Sequence, residues 1–179
     1  RAASHRPTQP SPAQLRVIAP TLARLDRRDA VPNDVVHVWP AVRIAVERSE
    51  LHAARKLLEG LGDGLTPTGD DVLAGLVLFA HWADPLSVMP NEVAVHAATT
   101  DLSRCFLAWA AAGQSIQPIH DLLDAADQVA SSADLASASA AHDQFDRAVT
   151  VVASIGRSSG KGMLAGLGLA ARAWSIMQE

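Results

Sequence analysis

The chain of 179 residues has no tyrosine, a single cysteine and few aromatics, 4% of the total. One cysteine, Cys105, excludes an internal disulfide and any cysteine-based zinc centre, and it fits a reducing compartment, so a cytoplasmic location is expected. Basic residues are not in excess: 15 Lys and Arg against 19 Asp and Glu give a formal charge of −4. That balance offers no broad positive field to phosphate backbones or anionic lipids, so nucleic acid and membrane are not expected as partners. Long hydrophobic runs are missing too. The longest, Val72 to Ala80, falls well short of the roughly 20 residues that a bilayer span needs. The chain starts at Arg1 with neither a methionine nor the apolar core of a signal peptide, and reads as a processed or truncated piece of something longer.

What is present is 49% apolar residues, enough for one globular domain with its own core. Residues 1–12, with Pro7, Pro10 and Pro12 among polar neighbours, read as a flexible tail or linker. Residues 13–179 read as a single helical domain. Ser11 and Gln14 have capping-box spacing, and Leu15, Ile18, Leu22 and Leu25 follow at helical intervals, with Pro20 expected to kink or split this first helix. Val35 to Trp39 is β-branched and reads as one short strand without a partner.

The rest has helical periodicity. Leu51, Ala54, Leu57, Leu58 and Leu61 form one stripe. Val95, Ala98, Leu102, Phe106 and Trp109 form a second, opened near Pro90 and closed by Gly113. Ile119, Leu122, Leu123, Ala126 and Val129 form a third, and Phe145, Val149 and Val152 a fourth. The architecture expected is an all-α bundle. Cys105, beside Phe106, is expected in the core, and Trp82, Trp109 and Trp174 as packing anchors. The scattered histidines show no pair with the spacing of a helical zinc site. His142 with Asp146 reads as a surface pair, and Asp121, Asp124 and Asp127 as a solvated helix face.

One internal repeat stands out. Thr68-Gly69-Asp70-Asp71-Val72-Leu73-Ala74-Gly75-Leu76-Val77-Leu78 returns 91 residues later as Ser159-Gly160-Lys161-Gly162-Met163-Leu164-Ala165-Gly166-Leu167-Gly168-Leu169. Each copy is a glycine-rich loop leading into a helix that is apolar nearly all round, as a central buried helix is. Gly75 and Gly166 each cost roughly 1 kcal/mol relative to alanine in a helix, and a close crossing of the two helices would compensate. The two N-termini would then converge. Thr68 with Asp71 reads as a capping pair, and Asp70 and Asp71 suit the helix dipole. Arg157 and Lys161 oppose the dipole of the second helix unless an anion sits there. The converging loops would bind a phosphate or carboxylate, and Asp70 with Asp71 could carry a magnesium ion.

The stretch Gly60-Leu61-Gly62-Asp63-Gly64-Leu65-Thr66-Pro67-Thr68-Gly69-Asp70-Asp71-Val72-Leu73-Ala74-Gly75 resembles the signature of a bacterial domain-of-unknown-function family. That family includes a subunit of the oxamate carbamoyltransferase of anaerobic allantoin degradation. Thr99-Thr100-Asp101-Leu102-Ser103 and Ile155-Gly156-Arg157-Ser158-Ser159-Gly160 agree in order, and Arg157 and Gly162 depart from the family's pattern. The resemblance runs from about Leu51 to Ala171 and implies that the chain is the C-terminal part of a longer architecture. It also implies carbamoyl transfer between phosphate and the nitrogen of oxamate, in an assembly with partner subunits resembling acyl-CoA synthetases.

Carried onto this chain, Gly62, Gly64, Thr66, Thr68, Gly69, Asp70 and Asp71 would form one wall of the site and Ser158, Ser159 and Gly160 the other. Thr100 and Ser103 would add to the site; by their own chemistry, and not through the resemblance, Arg157 and Lys161 would bind a small anionic substrate and Asp70 or Asp71 would orient the attacking amine or hold magnesium. Two other functions are consistent with the residues: a magnesium-dependent hydrolase using the aspartate pair, and a non-catalytic helical subunit, in which Arg157 would pair with Asp70. A homo-oligomer fits either.

Overall fold

The computed structural model describes residues 9–27 and 30–178. Among these residues the chain forms helices and no strand. In order they are α1 (Pro12–Leu22), α2 (Trp39–Glu47), α3 (Leu51–Leu58), α4 (Thr68–Ala83), α5 (Met89–Val95), α6 (Asp101–Ala111), α7 (Gln117–Ser131), α8 (Leu135–Ala153) and α9 (Ser159–Gln178). No helix of the described residues is long and apolar enough to cross a membrane.

Ser11 caps α1 by accepting from the Gln14 amide, as its spacing predicts. Pro20 sits inside this helix without splitting it, and the chain then tightens into a 3-10 turn at Ala23–Leu25. Most of the tail expected at 1–12 lies outside the described residues. Within it, Pro10 is buried and Gln9 donates to the Ala112 carbonyl. The strand expected at 35–39 does not form. Asn33–Val35 is a 3-10 turn and Trp39 begins α2 with Pro40 in its first turn, where a missing N–H costs nothing. An isolated strand would have had no ladder to satisfy its backbone.

At the centre, α4 and α9 run side by side in the same direction, crossing glycine to glycine. A Cβ on Gly75 would lie 2.4 Å from the Met163 carbonyl oxygen and 3.1 Å from Gly166 Cα; one on Gly166 would lie 2.1 Å from the Val72 carbonyl oxygen. The repeat therefore builds a near-symmetric helix pair that no larger residue permits at the crossing. Residue 71 of the first copy and residue 162 of the second also meet: a Cβ on Gly162 would stand 2.8 Å from Asp71 Cβ. Val72, Leu73, Val77, Leu167, Leu169 and Ala171 are fully buried around the crossing. Around this pair α6, α3 and α5 lie on the α4 side and α1, α2 and α8 lie against α9, while α7 packs on α1 and α8.

The stripe from Val95 to Trp109 is not one helix. The chain breaks between α5 and α6, where Thr100 caps α6 by accepting from the Ser103 amide. The face of α6 turned inward carries Ser103, Leu107, Ala110 and Ala111, while Leu102, Phe106 and Trp109 are exposed. Small residues let α6 lie close to α4, so its large apolar residues are left outside. Cys105 falls on that outer side and is exposed, contrary to the core position expected. Trp82 is buried, with its indole N–H donating to the Gly113 carbonyl, and Trp174 packs edge-on to Phe79. Trp109 is 58% exposed and is no anchor of the core. His142 bonds the Ala138 carbonyl of its own helix rather than Asp146.

Candidate functional site

The N-termini of α4 and α9 lie together, and hydroxyl groups link them. Thr68 was expected to cap α4. It is instead the first helical residue, after Pro67, and makes no cap bond. Its fully buried hydroxyl donates to Asp34 Oδ2 at 2.7 Å. That uses its one proton, so the Ser158 hydroxyl, 2.8 Å away, donates to Thr68. Asp34 thus anchors the first link between the two copies. No local pattern in the sequence pointed to Asp34, which reaches the site only through tertiary folding.

The second link ends on Asp71. The Thr66 and Ser159 hydroxyls are 3.2 Å apart, and Ser159 lies against the Asp71 carboxyl. When Asp71 is ionised, Ser159 donates to it and Thr66 donates to Ser159; when Asp71 holds a proton the chain of donors can reverse. Burial is the main force on this carboxyl. It raises the pKa to about 7, the Ser159 hydroxyl pulls it down, and the charge of Asp70 pushes it further up. Asp71 Oδ2 is buried without a hydrogen-bond partner.

Asp70 points elsewhere. It is buried, its Oδ1 accepts from the Gly60 amide at 2.8 Å, and its Oδ2 accepts a short bond from the Thr99 hydroxyl. Thr100 adds a bond to the Leu65 carbonyl, so residues 99–100 stitch the glycine loop to the start of α6. The pairing of Arg157 with Asp70, expected for a purely structural role, does not occur. Each oxygen of Asp70 accepts one hydrogen bond, while Asp71 keeps one oxygen without a partner. No group of three or more His, Cys, Asp or Glu able to hold a metal exists among the described residues.

The first-turn glycines are engaged as well. Gly69 donates its amide to the Leu61 carbonyl and Gly160 to the Ile155 carbonyl. A Cβ on either would collide with a carbonyl at the end of the preceding helical segment, at 2.1 Å from Leu58 O and 1.7 Å from Val152 O. The close approach that demands glycine here is protein against protein. Gly62 and Gly64 hold positive φ of 111° and 101°, which shapes the loop above Thr66. Ser103 is buried beneath α6 with no partner for its hydroxyl.

Two openings meet at the Thr66 to Ser159 link. One is a cavity of about 200 Å³. Its polar residues include Thr66, Asp71 and Ser159, and its apolar walls come from Phe106, Trp109, Ile116, Ile155 and Met163. The other is a cleft of about 300 Å³ bordered by Asp63, Gly64, Thr66, Arg157, Ser158 and Ser159. Arg157 and Ser158 continue into a third opening with Asp34 and Lys161. Arg157 and Lys161 are exposed and meet no carboxylate among the described residues.

The cavity walls were missed by sequence reasoning. Their signal was present in Phe106 and Trp109, two large apolar residues on a face that small residues leave unburied.

A family model described as oxamate carbamoyltransferase subunit AllH matches residues 58–171, more than half of the chain. The match runs from the end of α3 into the second half of α9 and so takes in both glycine loops. No curated protein and no solved structure matches the chain.

Proposed function

The chain belongs to the family of oxamate carbamoyltransferase subunit AllH, and from that premise we propose that the junction of α4 and α9 is a site of carbamoyl transfer between phosphate and an amide-type nitrogen. A subunit family implies partner subunits in a complex; partners resembling acyl-CoA synthetases are part of this proposal. The observation that carries it is the Asp71 carboxyl. It is half-buried over a cavity, has a free oxygen, and its pKa is raised to about 7, which suits a group that takes and returns a proton near neutral pH.

In the proposed step the phosphate of a carbamoyl phosphate lies in the cleft with Arg157 and Ser158, and the acceptor nitrogen lies in the cavity beside Asp71. The nitrogen lone pair forms the new C–N bond, its proton passes to Asp71, and the C–O bond to phosphate breaks with its electron pair leaving on phosphate. Ser159 and Thr66, which border both openings, stand where the carbamoyl group would cross. Hydroxyl donors and Arg157 would stabilise charge that builds on the carbonyl and phosphate oxygens. Magnesium enters only as a variable of the experiment.

Calorimetric titration with carbamoyl phosphate and with inorganic phosphate, each with and without magnesium, tests the reading. It expects saturable binding that Arg157→Ala weakens by about tenfold, as loss of one charge-assisted bond does. Identical binding by the wild type and Arg157→Ala would remove the anion from this cleft.

A further inference from the structure

The cavity beside Asp71 has a second polar wall that the transfer step above leaves unused, the turn at 112–116 between α6 and α7. We propose that Ser115 in this turn determines specificity for the acceptor: its hydroxyl donates to the carbonyl of a primary carboxamide whose N–H is accepted by Asp71 Oδ2. Gln114 beside it donates to a carboxylate carried by the same ligand. The class of acceptor is then a short monoamide of a dicarboxylic acid, to which oxamate belongs. The inference rests on the transfer reading for the reaction and on the cavity alone for the binding.

The backbone of the turn is held without help from either side chain. Gly113 has a φ of 72° and its carbonyl accepts the Trp82 indole N–H. The amides of Gly113 and Gln114 close back on the Ala110 and Trp109 carbonyls. A serine just before a helix commonly caps it by accepting a first-turn amide. Here Ile116 stands at the cap position of α7, and no side chain caps that end. Ser115 Oγ is instead buried with no hydrogen-bond partner among the described residues, and Ser115 borders the cavity. A buried hydroxyl left in that state is costly, and a ligand in the cavity would supply what it lacks.

Asp71 Oδ2 is the other buried, unpartnered polar side-chain atom among the described residues that border the cavity. One atom is a carboxylate acceptor from α4 and the other a hydroxyl that can donate. A primary carboxamide carries the complement of both, an N–H and a C=O on one planar group. The bond to Asp71 brings the acceptor's proton to the oxygen that takes it in the transfer step. The bond from Ser115 fixes which end of the amide is the nitrogen, since NH2 and carbonyl oxygen differ little in shape. Gln114 brings two N–H donors for the carboxylate to the same wall. Oxalate has the shape of oxamate but no N–H, and would leave Asp71 Oδ2 facing a like charge. Sites that bond a substrate N–H discriminate strongly against analogues lacking it, because the protein atom is then left unpaired.

The test titrates the full chain with oxamate and with oxalate by calorimetry at pH 8, above the pKa of Asp71. Oxamate is expected to bind saturably, and oxalate at least about tenfold more weakly. Ser115→Ala should weaken oxamate by about tenfold, leave carbamoyl phosphate binding unchanged and show a urea midpoint no lower than wild type, where a purely structural serine would lower it. Asp71→Asn should bring oxalate to within about threefold of oxamate, since the new side-chain amide donates to a carboxylate. Absence of saturable oxamate binding, equal binding of oxalate by the wild type, or oxamate binding by Ser115→Ala equal to wild type would each overturn the assignment. The carbamoyl phosphate titration with Arg157→Ala is independent. Failure there with selective loss of oxamate here overturns the transfer reading alone, and the reverse overturns the role of Ser115 alone.

Discussion

Asp70 and Asp71 are adjacent in the chain and in the first turn of the same helix, yet their surroundings differ in every respect that matters for chemistry. Asp70 has both oxygens bonded, one to the Gly60 amide and one to Thr99. Asp71 has one buried oxygen with no partner and a pKa raised to about 7. A step of one residue along a helix turns a side chain by about 100°, and here that rotation separates a carboxyl that binds the loop to α6 from one that borders a cavity. Paired aspartates in a sequence suggest a shared metal or a shared proton; the folded chain gives each its own partners.

Breaking the comparison at Asp70 should have the largest effect. Asp70→Ala removes the buried carboxylate that holds the Gly60 amide and the Thr99 hydroxyl, two charge-assisted bonds, and should cost about 3 kcal/mol, read as a fall in the denaturation midpoint. Asp71→Asn should act in the opposite sense and only at high pH. The folded pKa of Asp71 lies above its unfolded value of 3.8, so its contribution is full below pH 4 and is lost as pH rises toward 7. Wild-type stability should therefore fall across that window, and the Asn variant should be roughly 2 kcal/mol more stable than wild type at pH 8 and equal to it near pH 4.

Thr99→Val removes one of the two bonds that hold Asp70 and should cost about 1.5 kcal/mol in urea denaturation, with no change in the pH dependence that Asp71 confers. The smallest effect sharpens the contrast instead. Ser159→Ala removes the hydroxyl that lowers the pKa of Asp71, so the pH window of Asp71 should move upward while stability at pH 5 changes by less than about 1 kcal/mol.

Much of this arrangement was legible in the sequence. The repeat showed two glycine-led helices, and a residue as small as Gly75 or Gly166 in an apolar helix has few uses other than a close crossing. The convergence of the two loops followed from that crossing. The division of labour between Asp70 and Asp71 did not, because it depends on Thr99 and Gly60, which come from segments that only folding brings near. The cavity was hidden for another reason. The helix α6 is apolar on two faces, and periodicity alone does not say which face is buried; Ser103, Leu107 and Ala110 win because small side chains let the backbone of α6 approach α4. The break before α6 carried a readable sign, the Thr100 to Ser103 cap, outweighed by the longer apolar stripe across it. The Thr68 cap failed for the converse reason: its hydroxyl finds the Asp34 carboxylate, a stronger acceptor than its own helix offers a donor.

The central claim is that Asp71 is a carboxyl poised near neutrality at the edge of a cavity, and the most direct measurement is a carbon-13 titration of the side-chain carboxyl resonances, with Asp71→Asn to assign the signal. The account predicts that the resonance missing from the variant titrates with a midpoint near 7. A signal for Asp71 already fully ionised at pH 5 would contradict it.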